Sequence, residues 1–572
     1  MESLSDKIAV RNLVETCAIK GIQHVVISPG SRNAPLSVSF SRHPAFNCTV
    51  IVDERSAAFY ALGIAQQTQK TVVIVCTSGT AALNYAPAIA EAYYQKIPLL
   101  VFTADRPAEW IDQMDGQTIR QENIYSNYIK RSYCFPTEPD KEEEIWHCNR
   151  IASEAIESTY YPENGPVHIN IPLREPLYQF KDYSQEELPQ TFSTLTTRLE
   201  LSKAEVNELK EKWGRYNKIL VITGLLHPNK ALNEALNALA KHNQVAILTE
   251  TTSNQFGKDF NRSIDRLLAG ITEESKKEFQ PELLVTIGGP VVSKKIKAFL
   301  RENKAQEHWH INASNDYIDT YQSLSRIIPV SAEKILPQFL DCEAENSNYK
   351  ELWRQLDLHL LGAFKEFMNQ IPFSDLKVFE QVLTKIPVGS NVQFANSTAV
   401  RYSNLFDLPA IREISSYSNR GTSGIDGTIS TAVGAASVSD KITTVISGDL
   451  SFFYDSNALW IKPMPGNLRM IIINNQGGNI FRIIEGPKET KEVEHLFEAK
   501  HDLNAKHLTQ AFGIDYLSAR SESELEEALE HLFHQERNTA CVLEIHTDHK
   551  ATPEILKEYF IYLRKQVQNK TP

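Results

Sequence analysis

The sequence predicts an α/β protein made of three domains, each built on a parallel β-sheet. Short apolar runs rich in β-branched residues alternate with helical stretches, and repeated βαβ units of this kind form parallel sheets covered on both faces. The chain has 572 residues, which is too long for one hydrophobic core. Two polar, turn-rich segments at residues 181–200 and 341–350 indicate linkers, and they place the domains at residues 1–182, 198–342 and 351–572.

The first domain begins with an amphipathic helix that ends at Gly21. Apolar runs then predict strands at residues 24–28, 49–52, 71–76, 99–103 and 167–171. Helices are predicted between some of these strands, at residues 55–67 and 81–94. Three loops follow strand ends, at residues 28–35, 53–55 and 103–107. Because ligands bind at the carboxyl ends of the strands in open parallel sheets, these loops are candidates for a binding site.

The other two domains show the same alternation of strands and helices. In the second, strands are predicted at residues 218–223, 245–249 and 283–287, with a helix at residues 231–242. In the third, the predicted strands include residues 391–395, 443–447, 470–473 and 541–546. Near its end, residues 521–534 predict a surface helix in which Ser523 and Glu526 fit a capping box.

The stretch at residues 448–481 carries the clearest chemical signal. Asp449 directly follows one predicted strand and Asn475 follows the next. A carboxylate and an amide oxygen, with a backbone carbonyl and two phosphate oxygens, would complete an octahedral Mg²⁺ site. Gly477 and Gly478 allow the backbone to pass close to a bulky ligand. Asp and Asn are also common turn residues, so a capped turn between two strands is the alternative interpretation.

Composition excludes several classes of protein. The net charge is −12 and no basic block is present, which argues against a nucleic-acid partner. No apolar run reaches the roughly 18 residues of a transmembrane helix, and the charged N-terminus is unlike a signal peptide. The seven cysteines include no C-x-x-C pair, which is typical of reduced thiols. We therefore expect a cytoplasmic protein with no membrane partner.

Two further patterns have ordinary explanations. The three glycines within residues 421–427 lack the first G-x-G step of a dinucleotide fingerprint, which argues against a Rossmann dehydrogenase. The short run from His546 to His549 could bind a metal, but it lies at a strand end without a partner cluster. Surface residues are the preferred interpretation of that run.

The pair Asp449 and Asn475, within three α/β domains, resembles the thiamine diphosphate (ThDP)-dependent decarboxylases and carboligases. The resemblance implies the ThDP-binding fold type, with a pyrimidine-binding first domain, a central domain and a diphosphate-binding third domain. It also implies a Glu at a strand end of the first domain, and Glu54 occupies such a position. A carboxylate in the first turn of a helix is often only a favourable dipole interaction. Alongside the metal motif, the catalytic interpretation of Glu54 is preferred.

Within that family, the sequence is similar to the carboligases of the menaquinone pathway. The matching strings are SPGSRNAPL (28–36), DERSAAFYALG (53–63), TSGTA (77–81), TADRP (103–107), SNRGTSGIDG (418–427), GDLSFFYDSNAL (448–459) and NNQGGNIF (474–481). The last string has Gln476 where a third Asn is expected in relatives, but Asn475 is still available. The resemblance implies ThDP with Mg²⁺ or Mn²⁺. It also implies decarboxylation of 2-oxoglutarate and conjugate addition of the succinyl-semialdehyde carbanion to isochorismate, giving 2-succinyl-5-enolpyruvyl-6-hydroxy-3-cyclohexene-1-carboxylate and CO₂.

The resemblance also assigns roles to individual positions, with Glu54 as the catalytic residue. The implied cofactor-binding residues are Glu54, Ser423, Gly424, Ile425, Leu450, Ser451, Asn475 and Phe481. The implied metal ligands are Asp449, Asn475 and Gly477. The implied substrate-binding residues are Ser31, Arg32, Arg106, Gln117, Lys294, Lys295, Ser397, Arg401, Arg420, Ile480 and Phe481. The four arginines suit two substrates that are both dicarboxylates, because Arg binds carboxylates in a bidentate manner.

The implied partners are the two small-molecule substrates and further copies of the chain, in a homodimer or homotetramer with ThDP held between subunits. Two alternatives stay open. Another ThDP-dependent 2-oxoacid carboligase, of the acetolactate-synthase type, would need fewer carboxylate-binding arginines. A ThDP-fold binding or regulatory module without chemistry should lack Glu54 or Asp449, and both are present.

Overall fold

A computed structural model of the chain contains three parallel-strand sheets and one short antiparallel pair. The structure describes residues 3–182, 188–195, 199–314, 316–344, 346–407, 413–483, 489–534 and 536–568. The predicted α/β class with three parallel sheets is confirmed. The predicted domain boundaries stay a prediction, and their limits at residues 1, 198 and 572 lie outside the described residues.

The strands are short, as expected for buried parallel sheets. In chain order they are β1 (Leu4–Ser5), β2 (His24–Ile27), β3 (Asn47–Val50), β4 (Val72–Cys76), β5 (Leu99–Asp105), β6 (Arg131–Cys134), β7 (Val167–Pro172), β8 (Phe180–Lys181), β9 (Ile219–Thr223), β10 (Val245–Thr249), β11 (Leu283–Ile287), β12 (Glu307–Ile311), β13 (Arg326–Ile328), β14 (Asn391–Phe394), β15 (Ser415–Tyr417), β16 (Thr443–Gly448), β17 (Leu468–Asn474), β18 (Asp515–Ala519) and β19 (Cys541–His546).

Helices connect most of these strands. They are α1 (Ile8–Ile19), α2 (Ala34–Arg42), α3 (Glu54–Thr68), α4 (Thr80–Asn84), α5 (Ala86–Gln95), α6 (Glu142–Ser158), α7 (Lys203–Arg215), α8 (Lys230–Leu239), α9 (Ile264–Ala269), α10 (Lys276–Phe279), α11 (Lys294–Glu302), α12 (Ala332–Ile335), α13 (Tyr349–Met368), α14 (Asp375–Lys385), α15 (Thr398–Ser403), α16 (Thr428–Ser437), α17 (Asp449–Tyr454), α18 (Ile480–Ile483), α19 (Lys506–Phe512), α20 (Glu522–Leu532) and α21 (Ala551–Gln568). Among the residues with described positions, no helix is long and apolar enough to cross a membrane.

The chain forms two compact units. The first comprises Met1–Thr197, Asn419–Thr443 and Ser451–Leu468. It contains the sheet β3-β2-β4-β5-β7-β6 and the antiparallel pair β1-β8. Helices α1, α2 and α6 pack on one face of this sheet and contribute to its main hydrophobic core. Helix α3 packs against strands β2, β4 and β5, and also against α5 and α16.

The second unit comprises Arg198–Ser418, Thr444–Leu450 and Arg469–Pro572. It contains the sheets β10-β9-β11-β12-β13 and β15-β14-β16-β17-β19-β18. Helix α13 joins their cores, because Trp353 packs with the first sheet and Leu360 with the second. In this unit Asp449 begins α17 directly after β16, and Asn475 directly follows β17.

Two local predictions differ from the structure. The single helix predicted at residues 81–94 is two helices, α4 and α5. Pro87 cannot donate the backbone hydrogen bond that a continuous helix needs, and it lies in the first turn of α5. The capping box predicted at Ser523 is wrong. Ser521 has extended backbone angles and is the N-cap of α20, and its Oγ accepts from the Glu524 amide at 3.3 Å.

Candidate active site

Asp449 and Asn475 both lie at the carboxyl edge of the second sheet of their unit. The backbone reaches Asp449 at the end of β16 and Asn475 at the end of β17. Both side chains are almost completely buried, with 2% and 5% of their surface exposed. A carboxylate in such a place needs compensating donors. The Leu450 amide donates to Asp449 Oδ1 at 2.7 Å and the Gly477 amide donates to Oδ2 at 3.0 Å.

The orientation of the Asn475 amide is set by a residue that sequence reasoning missed. Asn475 Nδ2 donates to Asp375 Oδ2 at 2.9 Å, and Thr547 Oγ1 donates to Asp375 Oδ1 at 2.6 Å. Burial raises the pKa of Asp375 to about 6. With Nδ2 engaged, Asn475 Oδ1 points elsewhere, and it is buried with no hydrogen-bond donor among the described residues. A buried acceptor of this kind calls for a ligand or a water.

The turn after Asn475 brings the backbone close to the same place. Gly477 has φ +152°, and a Cβ there would lie 2.7 Å from the Glu498 carbonyl oxygen, so a larger residue is excluded. Its carbonyl oxygen accepts from the Asn479 amide at 3.0 Å and keeps a second lone pair. His501 Nε2 lies 3.4 Å from Asp449 Oδ2, and hydrogen bonding to that carboxylate raises the pKa of His501.

A cavity of about 550 Å³ lies in the same unit and contains four of the predicted substrate-binding residues: Lys294, Lys295, Arg401 and Ile480. Acidic side chains are present in its wall too, at Glu250 and Asp265. Burial lowers the pKa of Arg401, and the two nearby carboxylates oppose that shift. The cavity therefore combines three cationic side chains with apolar walls, which suits a small organic anion.

The remaining predicted residues of this unit lie near these groups in sequence. Ser397 has φ +70° and precedes α15, and its carbonyl oxygen accepts from Arg401 Nη1. The Phe481 ring centroid lies 5.8 Å from that of Phe497. The backbone amide of Leu450 donates the hydrogen bond to Asp449 that is described above.

In the first unit, Glu54 is the first residue of α3. Asp53 is the N-cap, and its Oδ1 accepts from the Ser56 amide at 3.2 Å. Asn457 Nδ2 donates to the other oxygen of Asp53 at 2.6 Å. The Glu54 carboxylate is near Cys76, whose thiol pKa is raised well above its ordinary value by burial and then by that charge. The cap thus fixes the start of the helix that carries Glu54.

The loop that contains Ser423, Gly424 and Ile425 also belongs to the first unit. Glu91 anchors its start, because the Glu91 carboxylate accepts from the Gly421 amide at 2.7 Å and from the Thr422 amide at 2.6 Å. Ser451 Oγ donates to the Ile425 carbonyl at 3.1 Å. Ser423 has φ +63°. The loop is therefore held at both ends, and Arg420 immediately precedes it.

Two predicted substrate-binding arginines meet at a carboxylate that was not predicted. Arg32 Nη2 lies 3.2 Å from Glu175 Oε1, and Arg106 Nη1 lies 4.0 Å from the same oxygen. Arg32 is buried and also donates to the Leu173 carbonyl at 2.8 Å. Ser31 is exposed in the same loop, and Gln117 has φ +56° in the loop that follows β5. The two arginines thus converge on one carboxylate oxygen at the strand ends.

Comparison with known proteins adds the decisive observation. Three domain families match in order: "Thiamine pyrophosphate enzyme, N-terminal TPP binding domain" over residues 9–124, "Middle domain of thiamine pyrophosphate" over 178–391, and "Thiamine pyrophosphate enzyme, C-terminal TPP binding domain" over 402–545. The chain is also similar to proteins named 2-succinyl-5-enolpyruvyl-6-hydroxy-3-cyclohexene-1-carboxylate synthase. Identity is 42% with that of Flavobacterium johnsoniae, over 97% of this chain and 99% of the relative. It is 41% with that of Christiangramia forsetii (97% and 98%) and 40% with that of Porphyromonas gingivalis (98% and 98%).

The chain belongs to this synthase family. As a family member it is a ThDP-dependent enzyme of the decarboxylating and carboligating kind. Three oxygen atoms here are of the kind that a divalent cation takes: the Asp449 carboxylate, the Gly477 carbonyl and the buried Asn475 Oδ1, to which no described residue donates a hydrogen bond. No group of three or more His, Cys, Asp or Glu side chains able to hold a metal occurs among the residues that the structure describes. Binding of a divalent cation here would therefore depend on one carboxylate and on neutral oxygen atoms beside it.

The residues missed in this synthase share one property. Asp375 is 100 positions away from the Asn475 that it contacts, and Glu175 is 143 positions away from Arg32. No local pattern in the sequence marks either of them, and only the sheet topology brings each pair together. The topological rule that parallel strands end at one edge could have indicated Glu175, which closely follows β7.

Proposed function

We propose that this synthase decarboxylates 2-oxoglutarate and adds the resulting succinyl-semialdehyde carbanion to isochorismate. The products are 2-succinyl-5-enolpyruvyl-6-hydroxy-3-cyclohexene-1-carboxylate and CO₂, with uptake of one proton. The observation that carries the proposal is the cationic cavity of Lys294, Lys295 and Arg401, in a chain whose net charge is −12. Basic side chains gathered in one cavity suit substrates that are dicarboxylates.

The proposed metal is Mg²⁺ or Mn²⁺, held by Asp449, Asn475 and the Gly477 carbonyl. Bound ThDP supplies the electron sink that 2-oxo acid decarboxylation requires. Glu54 would hydrogen-bond a ring nitrogen of the pyrimidine and hold a proton at that atom. Ile425, Ser423, Gly424, Leu450, Ser451 and Phe481 are the proposed cofactor contacts.

The proposed substrate contacts are of two kinds. Arg32, Arg106, Arg420, Lys294, Lys295 and Arg401, with Ser31, Gln117 and Ser397, would bind carboxylate and hydroxyl groups. Ile480 and Phe481 would supply apolar walls that exclude water. We further propose a cytoplasmic homodimer or homotetramer whose pyrimidine-binding, central and diphosphate-binding domains span residues 1–182, 198–342 and 351–572.

The direct test is incubation of the protein with ThDP, Mg²⁺, 2-oxoglutarate and isochorismate, followed by mass analysis of the product. The matched control omits isochorismate. We expect CO₂ release and a product whose mass equals the sum of both substrates and one proton, less CO₂. Formation of acetolactate from pyruvate at a higher rate would instead support the acetolactate-synthase alternative, which the names of the relatives disfavour.

A further inference from the structure

Lys294 and Lys295 are neighbours in sequence, but the structure gives them different surroundings. Lys294 is exposed at the start of α11, whereas Lys295 is only partly exposed. The Nζ atom of Lys295 is buried, and no residue in the described part of the chain accepts a hydrogen bond from it. It lies 3.1 Å from the centroid of the Phe560 ring, on α21. Both side chains line the cationic cavity.

Hydrogen bonds hold the start of α11, and they set the position of the backbone from which the Lys295 side chain extends. The buried Glu250 carboxylate accepts from the Val292 amide at 2.7 Å and from the Ser293 amide at 2.8 Å. Ser293 is the N-cap of α11, and its Oγ accepts from the Ile296 amide at 3.2 Å and also contacts Asp265. The Phe560 ring lies 5.0 Å from the buried Tyr559 ring, measured between centroids. The ammonium therefore lies between a helix start held by hydrogen bonds and a ring that packs on its own helix.

An aromatic face holds a cation differently from a carboxylate. The ring attracts the ammonium through its quadrupole, with about 0.5–2 kcal/mol of stabilisation, but it carries no charge of its own. A carboxylate in its place would neutralise the ammonium and would have to be displaced by an anionic substrate. Asp265 acts on Lys295 through its charge, but no described residue accepts a hydrogen bond from the ammonium, so its N–H donors stay available to a ligand in the cavity.

We propose that Phe560 is a positioning residue that presents the Lys295 ammonium to a substrate carboxylate, and that Lys295 contributes more to this binding than Lys294 does. The inference rests on the proposed function and assigns a role in it to α21. The charged groups that face Lys295 are Asp265 on α9, Arg564 on α21, Arg401 on α15 and Glu250 after β10. Burial lowers the pKa of Lys295 to about 8, Asp265 opposing and Arg564 adding to that shift.

The test compares F560L and F560Y with wild-type protein loaded with ThDP and Mg²⁺. Loss of the ring in F560L should raise the KM of one dicarboxylate substrate about 2- to 30-fold, the fold-change equivalent to a cation–π contact, with kcat within about twofold. F560Y keeps a ring and should restore the KM. Y562L is the matched control, because Tyr562 lies on the same helix and packs against Phe367 outside the cavity.

A pH profile separates positioning from a merely structural role. The ring stabilises the charged form of Lys295, so its removal should lower the pKa of Lys295, and substrate binding should be lost at a lower pH in F560L than in wild type. K295M should raise the same KM at least 10-fold more than K294M. These lysine variants also test the inference if F560L does not fold.

Three results would overturn the inference. One is an F560L protein with unchanged KM and pH profile. Another is a K294M effect equal to or larger than that of K295M. The third is a Y562L effect on KM as large as that of F560L, which would indicate general loosening of α21. A wild-type protein that forms no product from 2-oxoglutarate and isochorismate would instead contradict the proposed function, and the inference with it.

Discussion

The Asn475 side chain ends in one NH₂ group and one carbonyl oxygen, and the direction in which each points decides what the side chain can bind. The NH₂ group donates to Asp375, so the carbonyl oxygen is turned away from that carboxylate. An Asn free to rotate would present NH₂ or oxygen with similar ease, and NH₂ cannot bind a metal. The buried Asp375 carboxylate therefore favours the orientation in which Asn475 Oδ1 could bind the proposed metal.

We predict that replacing Asp375 with Ala weakens Mg²⁺-dependent ThDP binding about 10- to 100-fold, the usual cost of losing a group that orients a metal ligand. Calorimetric titration of the apoprotein with ThDP at fixed Mg²⁺ measures this without any turnover. Thr547→Val is the control, because it removes a donor to Asp375 and leaves the Asn475 bond in place. Equal ThDP affinity in D375A and wild-type protein would mean that Asp375 has no orienting role.

Loss of the Glu54 carboxylate should affect turnover rather than cofactor binding. We predict that Glu54→Gln keeps ThDP binding but loses about 10²–10⁴-fold in turnover, because an amide preserves the shape and removes the charged proton-transfer partner. Steady-state rates at saturating ThDP, with affinity measured in parallel, check both parts. Turnover near that of wild type under these conditions would remove Glu54 from the mechanism.

At the scale of the element, two helices of the first unit cross with almost no space between their backbones. A Cβ added at Gly63 on α3 would lie 2.0 Å from the Thr431 carbonyl oxygen on α16. A Cβ added at Gly434 on α16 would lie 2.0 Å from the Tyr60 carbonyl oxygen on α3. Each helix carries its glycine where the other approaches, so the crossing depends on both positions. Since α3 begins at Glu54, this contact also supports the predicted catalytic residue.

We predict that Gly63→Ala lowers the free energy of unfolding by several kcal/mol, because backbone on both sides must move to admit the methyl group. Gly362→Ala on α13 is the matched control. Apart from the backbone of its own helix and its chain neighbours, no atom of the described residues lies within 4 Å of the added Cβ. This variant should stabilise the protein by about 0.5–1 kcal/mol through helix propensity. Urea unfolding of both variants gives the comparison. Equal stability of G63A and wild type would show that the crossing is not tight in solution.

Strands were predicted well from the sequence where burial on both faces requires a continuous apolar run. The central strands β4, β5 and β17 are buried along their whole length, so their apolar runs were sufficient to identify them. The edge strands β6, β13 and β15 are short and more polar, and no apolar run predicted them. Asp449 and Asn475 could be predicted as site residues because each directly follows an apolar strand in the sequence, and that prediction stays untested. Asp375 and Phe560 could not, because their partners lie on distant elements.

On the scale of the whole molecule, the ThDP-binding groups predicted from the sequence belong to different predicted domains. Glu54 lies in the domain predicted at residues 1–182 and Asp449 in the one predicted at residues 351–572. In the resembled family, the first domain of one chain faces the third domain of its partner, and ThDP lies between subunits. We therefore predict an obligate homodimer or a dimer of dimers with shared active sites. A site formed within one chain is the competing arrangement.

A mixture of two inactive proteins separates these arrangements. Glu54→Gln removes the catalytic carboxylate and Asp449→Ala removes the anionic metal ligand, so each homodimer should be inactive. A shared site takes position 54 from one chain and position 449 from the other, and a two-fold dimer has two such sites. In the heterodimer, one site therefore carries both substitutions and the other carries neither. Up to about one site in two should then work. Sites formed within one chain would each keep a mutation, and no activity should return. Subunit exchange must first be verified by co-purification of differently tagged chains; with exchange verified, absence of recovery would contradict the shared site.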